Sequence, residues 1–191
     1  MSMRLSSLKP SFLHFTMVMV FILCVSGATA GTLKDEYKVK AALVYNFARF
    51  CEWPDEAFED DPSILRVVIY GDKGLKPIFE TINGMQVGER QIEVLLAETP
   101  ESIPRCHLLF LAKTERDDWP QIVAVLGEDS VLTVGEMNGF IESAGVLNLH
   151  LIDNKVSFDV NLDQARINNI VISSRILKLA SSVVSKKGAE K

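Results

Sequence analysis

The sequence has few of the residues from which metal and nucleophilic sites are built. Its 191 residues include three histidines and three cysteines. Those beyond the first apolar run lack the paired spacing of zinc ligands, so we expect no metal and no cofactor: Cys51, Cys106, His107 and His150. No G-x-S-x-G nucleophile motif occurs. Cys106 and His107 are neighbours, which on a strand directs them to opposite faces, so we do not expect an enzyme.

The sequence also lacks an apolar run long enough to cross a bilayer comfortably. The longest begins at Phe12 and ends near Val25, whereas a spanning helix needs about 20 residues. Two basic residues precede the run, and Ala28-Thr29-Ala30 follows it. This pattern predicts a secretory signal peptide over residues 1–30, with an uncleaved anchor as the alternative. We therefore predict an exported protein that does not insert into the membrane after cleavage.

Clustered basic residues are scarce in the predicted mature chain. The signal peptide carries two of the 20 basic residues and none of the 25 acidic ones, so the remainder has a net charge of −7. Such a chain is not suited to binding a nucleic-acid backbone. Its basic cluster, Lys186-Lys187, falls in a predicted flexible tail, residues 186–191. The intervening residues 31–185 suit one domain.

An amphipathic helix is the clearest predicted element of the mature chain. Pro54 cannot continue a helix, so we predict that this one ends near Cys51 or Glu52. Its apolar residues recur at spacings of three and four, and we expect them to be buried: Val39, Leu43, Phe47 and Phe50.

Strand and helix patterns alternate through the next part of the chain. Apolar runs predict strands over residues 65–70, 92–96, 105–113 and 131–134. Helical spacing predicts helices over residues 75–82 and 117–126. This alternation predicts a single-domain α/β sandwich with a central, mostly parallel mixed sheet flanked by helices.

The pattern changes in the C-terminal third. Residues 145–151 and 155–160 alternate about the polar turn Asp153-Asn154, which predicts a β-hairpin. Asn161 is a natural cap for a short helix, and Ser173 or Ser174 can cap a last helix that reaches Val184. The predicted fold thus ends in a hairpin plus helices.

Three features are candidate sites. Gly71-Asp72 follows a buried strand, where open α/β sheets bind ligands, although an ordinary turn has the same composition. Cys51 and Cys106 can form one disulfide or remain two free thiols in an oxidising compartment. A set of apolar residues in the C-terminal third forms either core or, where exposed together, a docking patch: Phe158, Ile167, Ile170 and Ile172.

The ordered motifs of the chain resemble those of one family. The first are Tyr45-Asn46-Phe47 with Trp53-Pro54, then Val68-Ile69-Tyr70-Gly71-Asp72. Cys106-His107-Leu108 and the run from Ile172 through Ser173-Ser174-Arg175 to Ala180 follow. In this order, over about residues 37–182, the chain resembles the YfiR-like family.

The resemblance implies a periplasmic repressor. Its best-known member binds the periplasmic sensor part of an inner-membrane diguanylate cyclase and holds it inactive, which lowers cyclic-di-GMP and opposes biofilm formation. Some relatives are dimers, so a homodimer is a further expectation. Relatives often pair the cysteine before the histidine with one that stands where this chain has Val68, which leaves Cys51 as the candidate partner of Cys106.

Two functional hypotheses follow. The first is a repressor that binds a membrane diguanylate cyclase through the apolar residues of its C-terminal third. The second is a periplasmic protein that binds a small ligand or a peptidoglycan fragment beyond Gly71-Asp72.

Overall fold

The computed structural model describes residues 30–112 and 117–185, with side chains from Lys34 onward. Residues 1–29 of the predicted signal peptide, residue 113 of a predicted strand and the predicted tail lie outside the described residues. The chain divides into two units, residues 1–35 and 36–191. The described part of the first is helical, and the second holds the sheet. No described helix is both long and apolar enough to span a membrane.

The first helix, α1, spans Ala30–Phe50. It ends one residue before the predicted limit, because the chain becomes extended in a two-residue strand, β1 (Cys51–Glu52). The face that packs on the sheet differs in part from the predicted one. It is formed by Ala41, Val44, Phe47 and Ala48. Val39, predicted to be buried, is 48% exposed, since the apolar stripe is wider than the surface that the sheet covers.

Eight strands form the main sheet, which confirms the predicted single-domain α/β architecture. In chain order they are β2 (Ile64–Tyr70), β3 (Gln86–Val87), β4 (Arg90–Ala97), β5 (Leu108–Leu111), β6 (Leu132–Gly135), β7 (Leu147–Ile152), β8 (Lys155–Asn161) and β10 (Ser182–Val184). Their order across the sheet is β10-β8-β7-β6-β5-β2-β4-β3. Five neighbouring strands are mutually parallel: β4, β2, β5, β6 and β7. The predicted hairpin, β7 with β8, is antiparallel. The remaining strand, β9 (Val171–Ile172), pairs with β1 in a separate two-stranded sheet.

Short helices cover the sheet or connect its strands. They are α2 (Lys76–Phe79), α3 (Trp119–Leu126), α4 (Leu162–Ile167) and α5 (Ser174–Leu177). Three 3₁₀ helices complete the list of helical segments in the described residues: Asp55–Phe58, Glu80–Ile82 and Pro100–Ser102.

The predicted last helix is wrong beyond its first turn. Ser173 caps α5 by accepting the N–H of Arg175, as predicted, but α5 ends at Leu177. Residues Ser182–Val184 instead form β10, which adds to β8 in parallel. The β-branched pair Val183-Val184 favours an extended backbone, and the free edge of β8 provides its hydrogen-bond partners.

Both faces of the central strands are covered. On β2, Val67 and Ile69 belong to a large apolar cluster that includes α1, whereas Val68 and Tyr70 belong to a second cluster that includes α3. All four side chains are fully buried. The nearly continuous apolar run in the sequence follows from this two-sided burial.

His107 is a buried structural histidine. Its Nδ1 accepts the N–H of Arg66 at 2.8 Å, and its Nε2 lies 2.9 Å from the carbonyl oxygen of Ala57. Its ring stacks on Phe58 at 4.3 Å between centroids, and its carbonyl oxygen accepts the indole N–H of Trp53. These contacts require the neutral ring, with the proton on Nε2. Burial lowers the pKa of His107 to about 4.

We predict that His107 makes the fold sensitive to mild acid. The pKa is depressed on folding, so the stabilising contribution is complete above the unfolded value, near pH 6.5, and is lost as the pH falls towards 4. After solvent screening is allowed for, the loss should reach about 2 kcal/mol. Urea unfolding at pH 7 and pH 5 measures it. His107→Gln should reduce the difference; an unchanged difference in His107→Gln would contradict the assignment.

Candidate functional site

Three of the four predicted partner-binding residues are part of the core. Phe158, Ile170 and Ile172 are only 3%, 3% and 8% exposed. Phe158 packs edge-on against Phe47 of α1, with ring centroids 5.1 Å apart, and Ile172 pairs with Cys51 in the small sheet. These three can support a surface but cannot be direct contacts in this conformation. Their role in partner binding stays a prediction.

Ile167, the fourth predicted residue, is 70% exposed at the end of α4. Local polar contacts fix this short helix. The side chain of Asn161 accepts the N–H of Gln164 at 2.9 Å, which confirms the predicted cap. At the other end Asn168 donates to the carbonyl oxygen of Val131 at 2.8 Å, and Asn169 ends the helix with a positive φ. A large apolar side chain is therefore held in solvent by a well-anchored turn.

Ile167 lies at a groove beside the edge of the main sheet. The groove encloses about 370 Å³, and we call it the C-terminal groove. Its lining residues are Ile141, Glu142, Ala144, Asn161, Asp163, Gln164, Ile167 and Val184. Val184 belongs to the edge strand β10 and is 44% exposed. Sequence analysis missed Val184, because its apolar spacing was read as a helix face and not as a strand edge.

A buried polar cluster lies at the carboxyl end of β6. Glu136, the residue after β6, accepts the hydroxyl of Tyr37 at 2.7 Å through Oε1 and pairs with Lys40 through Oε2. Lys40 also pairs with Glu36 one turn earlier in α1. Burial, with the Glu136 hydrogen bond, raises the pKa of Tyr37 well above its usual range. This cluster links α1 to the loop after β6. Lys40 is spaced from Val44 and Phe47 as residues on one face of a helix are, and this spacing could have predicted the burial of Lys40.

We predict that Lys40 is required for stability mainly because it neutralises buried Glu136. Lys40→Met should lower the free energy of unfolding by about 3 kcal/mol, since it leaves a buried carboxylate without its cation. The double variant Lys40→Met/Glu136→Leu should recover much of that loss. Urea unfolding at pH 7 measures both. Equal losses in the single and double variants would show that charge neutralisation is not the reason.

The Gly71-Asp72 segment has the geometry of a turn. Gly71 has a positive φ of 97°, and the side chain of Asp72 accepts the N–H of Gly74 at 2.7 Å. These contacts satisfy Asp72 locally, as in an Asx turn. Among the described residues no group of three or more histidine, cysteine and carboxylate side chains is arranged to hold a metal ion.

The structure does not form the candidate disulfide between Cys51 and Cys106. Both are free and buried. Cys51 belongs to the apolar cluster with α1, and Cys106 belongs to the cluster with α3, together with Val68. The two thiols therefore lie in different clusters, which the central strands separate. Burial raises the pKa of each thiol to about 12.

We predict that both thiols are unreactive in the native protein. In a Cys24→Ser background, Ellman's reagent should label Cys51 and Cys106 at least about tenfold more slowly at pH 7.5 than after unfolding in urea, because the thiolate is the reactive form. Counting released thiols by absorbance tests this. Unfolded protein that releases fewer than two thiols without reductant would instead reveal a disulfide.

Comparison with known proteins identifies one family. The model of the family described as YfiR/HmsC-like matches residues 37–181. No curated protein matches the chain. A similar solved structure is the ABC domain in complex with L-Trp from Streptococcus pneumonia, with a TM-score of 0.50 and 10% sequence identity. The match covers 78% of this chain and 60% of that one, so the chain spans less than two thirds of its length, and the likeness concerns the fold alone.

Proposed function

The chain belongs to the YfiR/HmsC-like family, and we propose that it represses an inner-membrane diguanylate cyclase by binding the periplasmic sensor domain of that enzyme. Proteins of this family are periplasmic regulators of cyclic-di-GMP signalling and not enzymes. The step that we add for this chain is direct contact, which would hold the cyclase inactive and lower its output of cyclic-di-GMP.

The observation that carries this proposal is the exposure of Ile167 beside the C-terminal groove. Ile167 is 70% exposed, and Val184 of the neighbouring edge strand, which lines the same groove, is 44% exposed. Apolar side chains exposed together at a concave surface are typical of sites where another protein binds. The caps of α4 hold Ile167 in place before binding, which reduces the entropic cost of forming an interface.

The charges around the groove indicate the chemistry of the partner. Glu142 and Asp163 line it, and Asp163 also pairs with Arg166 at 2.8 Å. The predicted mature chain carries a net charge of −7. A sensor domain that inserts an apolar side chain beside Ile167 and places basic residues near Glu142 would be complementary in shape and charge.

A second copy of this chain is the competing occupant of the groove. Two copies that met through it would bring together the Glu142 carboxylates of both, and this like-charge contact opposes association. A homodimer through another surface remains compatible with the proposal, because the groove would stay free for the cyclase.

We predict that Ile167→Asp weakens binding to the sensor domain without unfolding the protein. Loss of an exposed apolar anchor and added negative charge should reduce affinity at least about tenfold. The melting temperature should change by no more than about 2 °C, because Ile167 contributes little to the core. Titration calorimetry with the isolated sensor domain of a cyclase encoded beside this protein measures the affinity.

Val125→Asp is the matched control. Val125 is also an exposed apolar residue on a short helix, but it lies on α3 and does not line the groove. It should leave affinity unchanged. If both variants bind as tightly as the wild type, the groove is not the interface; if the wild type binds no sensor domain of this class, the repressor assignment itself fails.

A further inference from the structure

A second cleft shares no lining residue with the C-terminal groove. It contains an arginine with a buried hydrogen-bond donor that has no acceptor among the described residues. The cleft encloses about 320 Å³ between the end of α1, the first 3₁₀ helix and the β3–β4 turn. Its lining residues are Ala48, Arg49, Cys51, Glu52, Trp53, Asp55, Phe58, Leu65, Val87, Gly88 and Arg90. The Nε of Arg90 is buried and makes no hydrogen bond to any described residue.

Arg90 is stacked on an aromatic ring and has no acidic partner among the described residues. Its guanidinium carbon lies 3.6 Å from the centroid of the Phe58 ring. Phe58 stacks in turn on His107, which is fixed by hydrogen bonds to Arg66 and Ala57. The resulting stack fixes the plane of the guanidinium and leaves its N–H groups without a carboxylate among the described residues.

Arg49 gives the cleft a second cation. Its guanidinium lies 5.5 Å from the Tyr45 ring and 5.3 Å from the Phe50 ring, and it forms no ion pair with a described carboxylate. Three other arginines of the described chain pair with carboxylates: Arg66 with Glu93, Arg105 with Asp60 and Arg166 with Asp163. The two carboxylates of the cleft, Glu52 and Asp55, are exposed and lie beyond ion-pair distance of both arginines.

We propose that this cleft binds the oxyanion of a small molecule, a carboxylate or a phosphate, attached to a short apolar body. A planar guanidinium stacked on an aromatic ring presents its two outer nitrogens, with parallel N–H donors, to two oxygens of such a group. The apolar body lies against Trp53 and Val87, the half-buried apolar side chains of the lining. Glu52 and Asp55 disfavour a ligand with several negative charges, so a singly charged carboxylate is preferred.

The test uses the full chain with acetate, benzoate and inorganic phosphate as probes. Each is titrated while the Nε–H resonance of Arg90 is followed by ¹⁵N NMR, and calorimetry gives the affinity. Benzoate should bind most tightly and shift the Arg90 resonance. Arg90→Gln should weaken it at least about tenfold, and Arg90→Lys should not restore it, because lysine lacks the planar fork.

Arg175→Gln is the matched control. Arg175 also lies over an aromatic ring, that of Phe50, at 5.4 Å, but it does not line the cleft. It should leave benzoate binding unchanged. Binding of phosphate alone would support the site and assign its ligand as a phosphate. Absence of a saturable Arg90 shift with all three probes would overturn the proposal, whatever the outcome with the cyclase domain, and so would equal weakening by Arg175→Gln.

If Arg90→Gln fails to fold, the Arg49→Gln variant and the wild-type titration test the proposed site instead. Arg49 is exposed on the last turn of α1, so its replacement should leave the fold intact. The proposal expects weaker benzoate binding in Arg49→Gln and a saturable shift of Arg90 in the wild type. A shift that grows linearly with probe concentration would contradict it.

Discussion

Two-sided burial of the central strands is the constraint on which the rest of the structure depends. Val67 and Val68 are neighbours on β2, yet one packs towards α1 and the other towards α3, and neither is exposed. A parallel sheet of this kind is stable only when both faces are covered. The buried pair Lys40–Glu136 is a consequence, because α1 covers its face only if a charged residue at that face finds a partner.

The same constraint explains where the surface features lie. The middle of the sheet has no free edge, so exposed backbone and apolar groups are found at its ends. At one end β10 exposes Val184 beside Ile167. At the other end the β3–β4 turn places Arg90 against Phe58. Both proposed sites therefore lie at margins of the sheet, where side chains are not needed to cover its faces.

The sequence was sufficient for elements whose pattern is local. The apolar run of β2, the alternation of the β7–β8 hairpin and the Asn161 cap each depend on neighbouring residues, and each is confirmed. Long-range pairing was not predictable. The valines of β10 fit a helix stripe and a strand equally well, and only the free edge of β8 decides between them.

Burial in the candidate site was harder to predict than secondary structure. Phe140 sits in a glycine-rich turn that resembles an exposed loop, yet it is fully buried and its ring lies 4.7 Å from that of Trp119. Gly135 permits this, because a Cβ there would lie 2.8 Å from the ring. Ile170 and Ile172 are likewise apolar residues near Ile167 whose burial depends on partners distant in sequence. Apolar character alone cannot distinguish an exposed residue that can contact a partner from a neighbouring residue of the core.

The small sheet of β1 and β9 connects the arginine cleft to the segment of chain that follows α4. Cys51 and Glu52 line the arginine cleft and pair with Ile172 and Val171, which follow α4 and its exposed Ile167. A ligand in the cleft would change partner affinity only by binding the free and the docked forms differently. Any such effect would be reciprocal, so the sensor domain would change the affinity for the ligand by the same factor. In this way the concentration of a small molecule would be converted into a change of partner occupancy.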